Sequence, residues 1–138
     1  MKQDSPWTPH FSLDELKCHC GQCGSTGLEM QDSFMQHIIW LRLKMAIPFK
    51  VSSGYRCKTY NTKISSSGEF GPHTFGKALD ILFLPHQFDA LLELVYTSKR
   101  FTGKGGKKAG NYYMIHLDTL TKEDHPRFKV RPNFFFYD

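Results

Sequence analysis

A single carboxylate limits the folds open to this chain more than any other feature. Residues 77–84 read Lys-Ala-Leu-Asp-Ile-Leu-Phe-Leu, a strand pattern with Asp80 set between Leu79 and Ile81. Strand side chains alternate, so Asp80 shares a face with Ala78 and Leu82 while Leu79, Ile81 and Phe83 pack opposite. A carboxylate buried in such a strand is costly unless it is paired, hydrogen-bonded or bound to a metal. The sheet must therefore carry a polar centre on one face and a core on the other. A second strand, Tyr112–Leu117, repeats the pattern: His116 lies between Ile115 and Leu117, with Asp118 on its own face. In the segment Gly71-Pro72-His73-Thr74-Phe75-Gly76, Gly76 permits a turn that brings His73 back over the sheet. His73, Asp80 and His116 then supply two imidazoles and a carboxylate and leave a fourth position open. That ligand count belongs to catalytic rather than structural zinc. Hydrogen-bonded core residues account for the same positions without a metal, and spacing alone does not choose.

The rest of the chain reads as helices set apart from a few strands. Ser12-Leu13-Asp14-Glu15 is a capping box that starts a short helix over 13–17. Phe34, Ile38, Leu41 and Met45 recur at helical steps and predict a helix over 31–44, closed by Pro48. His37 beside that stripe reads as a core or boundary histidine. Residues 49–53 alternate and stop at Gly54, so they read as a strand, and 58–64 as a short helix. Pro85 opens a helix carrying Phe88, Leu91, Leu92 and Val95 and ending near Arg100. The Gly/Lys run at 103–108 reads as a flexible solvated loop. Phe134 to Phe136 read as closing the core or a partner contact. The class is α+β. With 138 residues, 40% of them apolar, one domain over 1–138 is expected, with a cysteine knuckle at 10–25 inside it.

The knuckle holds Cys18, Cys20 and Cys23 in Cys-His-Cys-Gly-Gln-Cys-Gly, and Cys57 stands alone. Three readings stay open: a structural zinc site of four cysteines, one or two disulfides joining Cys57 to the knuckle, or buried free thiols. The first nine residues lack the apolar stretch of a secretory signal, and no apolar run reaches the ~20 residues of a membrane span. Synthesis in a reducing compartment is the expectation, which favours metal over disulfide. Eighteen Lys+Arg against thirteen Asp+Glu give a net charge of +5, suited to anionic partners. No aromatic-basic stacking pattern argues for nucleic acid, and no membrane insertion is expected.

Together these segments resemble the zinc D-Ala-D-Ala carboxypeptidase family, which includes phage L-alanoyl-D-glutamate endopeptidases and shares its fold with Hedgehog signalling domains. The likeness is carried by Ser53-Gly54-Tyr55-Arg56-Cys57, by His73 with Asp80 seven residues later and Gly76 between, and by His116-Leu117-Asp118. Phe11-Ser12-Leu13-Asp14-Glu15-Leu16 followed by cysteines is similar to a subgroup. The resemblance implies a small antiparallel sheet with helices packed on one side, and zinc on His73, Asp80 and His116. It implies that Arg56 faces the substrate carbonyl or carboxylate, and that Asp118 orients His116 or ends its strand as an acceptor. Many relatives carry an acid three residues before the last ligand, where this chain has Tyr113, or a histidine five before it, where it has Asn111. Glu69 or Asp118 is left as a base, and Tyr112 or Tyr113 as a donor to the tetrahedral intermediate. The expected function is a zinc metallopeptidase that hydrolyses peptidoglycan stem peptides next to a D-amino acid, in the manner of a phage endolysin. The alternative is a catalytically degenerate module of the same fold, one that binds cell wall or serves as a phage tail component. Either would be made in the cytoplasm and reach the wall through a holin or within the virion, with tail proteins as further partners.

Overall fold

The structure, a computed structural model, describes residues 4–65, 68–121 and 123–124, and the backbone of 133–136. Helix α1, Leu13–Leu16, starts at Ser12, whose hydroxyl accepts from the Glu15 amide and donates to its carboxylate. Helix α2, Asp32–Met45, ends as Ala46 enters the left-handed region. Strand β1, Lys50–Ser53, is followed by α3, Lys58–Ile64, and by three-ten turns at Gly68–Phe70 and Pro72–Phe75. Strand β2, Ala78–Phe83, leads through a three-ten turn at Pro85–Gln87 into α4, Phe88–Ser98. Strands β3, Gly103–Ala109, and β4, Tyr112–Asp118, form a hairpin, and β5, Asn133–Phe136, completes the sheet.

The sheet runs β1-β2-β4-β3-β5, antiparallel throughout except for the parallel β3–β5 pair. Its two faces differ as the alternation requires. Leu79, Ile81, Phe83, Ile115 and Leu117 point into one core with Phe34, Met35, Ile38 and Leu41 of α2 and Leu91 and Val95 of α4. The other face carries Asp80 and His116 and is covered by the stretch that includes α3 and the His73 turn. The architecture is thus α+β, with α2 and α4 on a single side of a small, mostly antiparallel sheet. His37 sits at the edge of the core, its ring against Phe101 and 3.1 Å from the Arg100 guanidinium.

One expectation fails. Residues 103–108 are not a solvated loop but most of β3, and Gly103, Lys104, Gly105 and Gly106 are buried. Lys104 pairs with Leu117 and stretches along the core face until its ammonium lies over the Tyr96 ring, 5.6 Å from the centroid. Lysine stems can cover apolar surface, so a Gly/Lys alternation is compatible with a strand when both neighbours supply ladder bonds. The side chains of Phe134 to Phe136 lie outside the described residues.

Candidate metal centre

Strand register assembles this site. Asp80 stands directly opposite His116 in the β2–β4 pair, Ser53 opposite Asp80 in β1–β2, and Gly105 opposite His116 in β3–β4. His73 arrives from above, on a turn that Gly76 ends in the left-handed region at φ 70°. A side chain at Gly76 would also strike the Glu29 carbonyl, so both angle and space call for glycine. His73, Asp80 and His116 are 4%, 3% and 8% exposed, and one ligand atom from each lies within 4.8 Å of the others.

Neighbours decide which nitrogen each histidine presents. His73 Nδ1 is 2.7 Å from the Gly54 carbonyl, which only accepts, so Nδ1 carries the proton and Nε2 keeps its lone pair. That Nε2 is 3.2 Å from Asp80 Oδ1. His116 Nε2 is 2.7 Å from Asp118 Oδ2 and donates to it, which turns Nδ1 towards Asp80 Oδ1 at 2.9 Å. Two nitrogens thus converge on one carboxylate oxygen at separations near the edge of a zinc tetrahedron, about 3.3 Å for bonds of about 2.0–2.1 Å. The donor set and the fixed tautomers fit that ion.

Without a metal, a proton on His116 Nδ1 holds that ring to Asp80. Burial opposes charge on His116, but hydrogen bonds to Asp118 and Asp80 outweigh it and raise its pKa to about 9. Burial likewise raises the Asp80 pKa, yet the two histidines outweigh it and hold the carboxyl well below the usual range. A metal bound here would be held by His73, Asp80 and His116 and would take the place of the proton on His116 Nδ1.

Arg56 is the fourth partner. Its Nη2 donates to Asp80 Oδ2 at 3.1 Å, Nε to Ser53 Oγ at 2.9 Å and Nη1 to Asn61 Oδ1 at 3.2 Å. The two oxygens of Asp80 are therefore divided between the arginine and the histidines. Asp118 is fully buried behind His116, and its Oδ1 accepts from the Leu120 amide at 3.2 Å. Glu69 is exposed on the turn before His73. Tyr113 pairs with Phe83 on the core face and its ring lies 5.0 Å from that of Phe88. The alternation that presents His116 to the centre turns Tyr113 away from it. Tyr112 shares the face of His116 but lies at the far end of β4, beneath the Lys50 ammonium.

Sequence reasoning passed over three supports. Ser53 and the buried Asn61 orient Arg56, and Gly103 makes room for Asp118, since a methyl there would overlap its carboxylate. No sequence signal marks Asn61, one polar residue among others in α3. Away from this centre, the four cysteines also meet: their sulfurs lie within 4.8 Å of one another and no disulfide joins them. No helix among the described residues is long and apolar enough to cross a membrane.

A family model described as Peptidase M15 matches residues 9–118, a span that includes both clusters. No curated protein and no solved structure matches the chain.

Proposed function

The chain belongs to the peptidase M15 family, whose members are zinc-dependent metallopeptidases, and from that premise we propose that it hydrolyses peptidoglycan stem peptides at an amide next to a D-amino acid. The observation that carries the reading is the convergence of His73 Nε2, Asp80 Oδ1 and His116 Nδ1, oriented by bonds to the Gly54 carbonyl, Arg56 and Asp118 respectively. Zinc held there supplies a Lewis acid that polarises a carbonyl and acidifies water. The protein's own residues do the rest. Asp118 keeps His116 in one tautomer, and Gly54 does the same for His73. Arg56, anchored by Ser53 and Asn61, keeps a guanidinium beside the ligand carboxylate, where it can stabilise negative charge on the substrate oxygen as it develops. Of the two carboxylates considered as bases, Asp118 is enclosed behind His116, which leaves Glu69 as the accessible one.

A net charge of +5 suits an anionic wall polymer. Such a protein would work on the wall after release by a holin or as part of a virion tail. The test is incubation of zinc-loaded protein with purified peptidoglycan and defined stem peptides, with products read by mass spectrometry. Release of a terminal D-Ala would mark a carboxypeptidase, and cleavage within the stem an endopeptidase. His73→Ala should abolish both zinc at this centre and hydrolysis. Undiminished hydrolysis by that variant would sink the reading, and tight peptide binding without turnover would establish a binding module in its place.

A further inference from the structure

We propose that Cys18, Cys20, Cys23 and Cys57 form a second metal site, a closed tetrathiolate that binds zinc and ties the N-terminal knuckle to the start of α3. The inference stands apart from the peptidase reading.

The spacing of the sulfurs carries it first. Cys20 Sγ and Cys57 Sγ are 3.9 Å apart, and all four sulfurs lie within 4.8 Å of one another. A disulfide would need about 2.05 Å between two of them. A zinc tetrahedron with bonds of about 2.3 Å has edges of roughly 3.8 Å. Bridging one pair would also leave the remaining sulfurs crowded against it, whereas one ion uses all four.

Backbone amides are arranged for thiolates as well. The Cys57 amide donates to Cys18 Sγ at 3.3 Å, the Gln22 amide to Cys20 Sγ at 3.4 Å and the Tyr60 amide to Cys57 Sγ at 3.4 Å. Amide hydrogen bonds are strongest to a charged acceptor, so three of them on three sulfurs fit bound thiolates better than thiols. The knuckle reaches this shape because Gly21 and Gly24, each directly after a cysteine, take φ of 72° and 73°. Zinc binding converts the thiols to thiolates and releases their protons to solvent.

The site joins parts of the chain far apart in sequence. Cys57 caps α3 and follows Arg56, while Leu16, just before the knuckle, accepts from the Tyr55 amide at 2.8 Å. Its surface side opens onto a shallow pocket shared with Gln22, Tyr60 and Lys63. With four protein ligands it has no position for substrate, which makes it a structural site.

The experiment uses the full chain, purified under reducing conditions and loaded with cobalt(II) or zinc. The cobalt protein should show the intense sulfur-to-metal charge-transfer band of a tetrathiolate, and the zinc protein two metal equivalents. Cys20→Ser/Cys23→Ser, which spares buried Cys18, should lose the band and one equivalent. His73→Ala/His116→Ala should lose one equivalent and keep the band. Absence of the band from the unsubstituted protein, or retention of both equivalents by the cysteine variant, would overturn the proposal. So would disulfides trapped by alkylating a second preparation lysed and handled without reductant. A band without peptide hydrolysis would leave this site standing and count against the peptidase reading alone.

Discussion

The two ligand clusters are built on opposite principles. His73, Asp80 and His116 are buried and rest largely on regular strands, and every one of them is held by a group other than a metal: Gly54, Arg56 and Asp118. The cysteines sit on turns, with Cys23 exposed and Cys20 and Cys57 half-buried, and little but a few amides gathers them. The first cluster is organised before an ion arrives. The second, under the proposed tetrathiolate, relies on its ion for much of its order. A centre meant for chemistry must hold its ligands in productive geometry through turnover, whereas a structural ion can itself supply the order.

The contrast is broken most forcefully at Asp80. Asp80→Asn keeps the volume but removes the charge that Arg56, His73 and His116 share. Hydrolysis should fall to the uncatalysed rate and one zinc equivalent should be lost, as read by a peptide assay and elemental analysis. The cobalt thiolate band should stay. If both sites lost their metal together, the clusters would be one cooperative unit and the contrast would be wrong. Next in size is Arg56→Lys, which keeps a positive charge but not the fork that spans Ser53, Asn61 and Asp80. With zinc content unchanged, kcat should drop by about a hundredfold, the scale of a lost oxyanion donor.

How far the sequence could be read follows the same division. Asp80 and His116 were legible because strand alternation makes a polar residue in an apolar run conspicuous, and register then placed them opposite one another. The helices and the other strands up to Asp118 were legible from their apolar periodicity and caps. β3 was not: its glycines and lysines carry no apolar signal, and what makes it a strand is the ladder offered by β4 and β5. Asn61 and Ser53 were hidden because a hydrogen bond to a nearby arginine side chain leaves no period in the sequence. The four cysteines announced a site by composition, but the sequence could not show that Cys57 lies beside the knuckle with all four sulfurs gathered together and unbridged.

Support behind the ligands should show smaller, graded effects. Asp118→Ala removes the acceptor that turns His116 Nδ1 inward, and zinc affinity at that centre should weaken about 10- to 100-fold, as measured by competition with a chelator. Asp118→Asn, which still offers an oxygen to His116 Nε2, should recover part of the loss. If Ala and Asn weakened zinc equally, the charge rather than the hydrogen bond would be at work. Gly103→Ala approaches the same carboxylate from β3. Its methyl must displace Asp118 or bend the strand, a strain of about 1–3 kcal/mol read by denaturant unfolding.

The subtlest effect tests the contrast without any substitution. Chelation should strip both ions from the protein. In the sheet centre the proton on His116 and the guanidinium of Arg56 then stand in for the lost charge, so Asp80 keeps its partners. In the knuckle no charged side chain stands in for the ion, and residues 18–24 are left to the amide contacts to sulfur, the Cys20–Cys57 sulfur contact and the bond from the Cys18 amide to Ser25 Oγ. Local opening there becomes easier while the ladder around Asp80 and His116 is unchanged. Amide hydrogen exchange followed by mass spectrometry should therefore rise about tenfold or more over residues 18–24, with little change over 78–83 and 112–118. Equal loosening of both segments would mean that the sheet centre also depends on its ion for order. Its hydrogen bonds would then be a consequence of metal geometry rather than the scaffold that prepares for it.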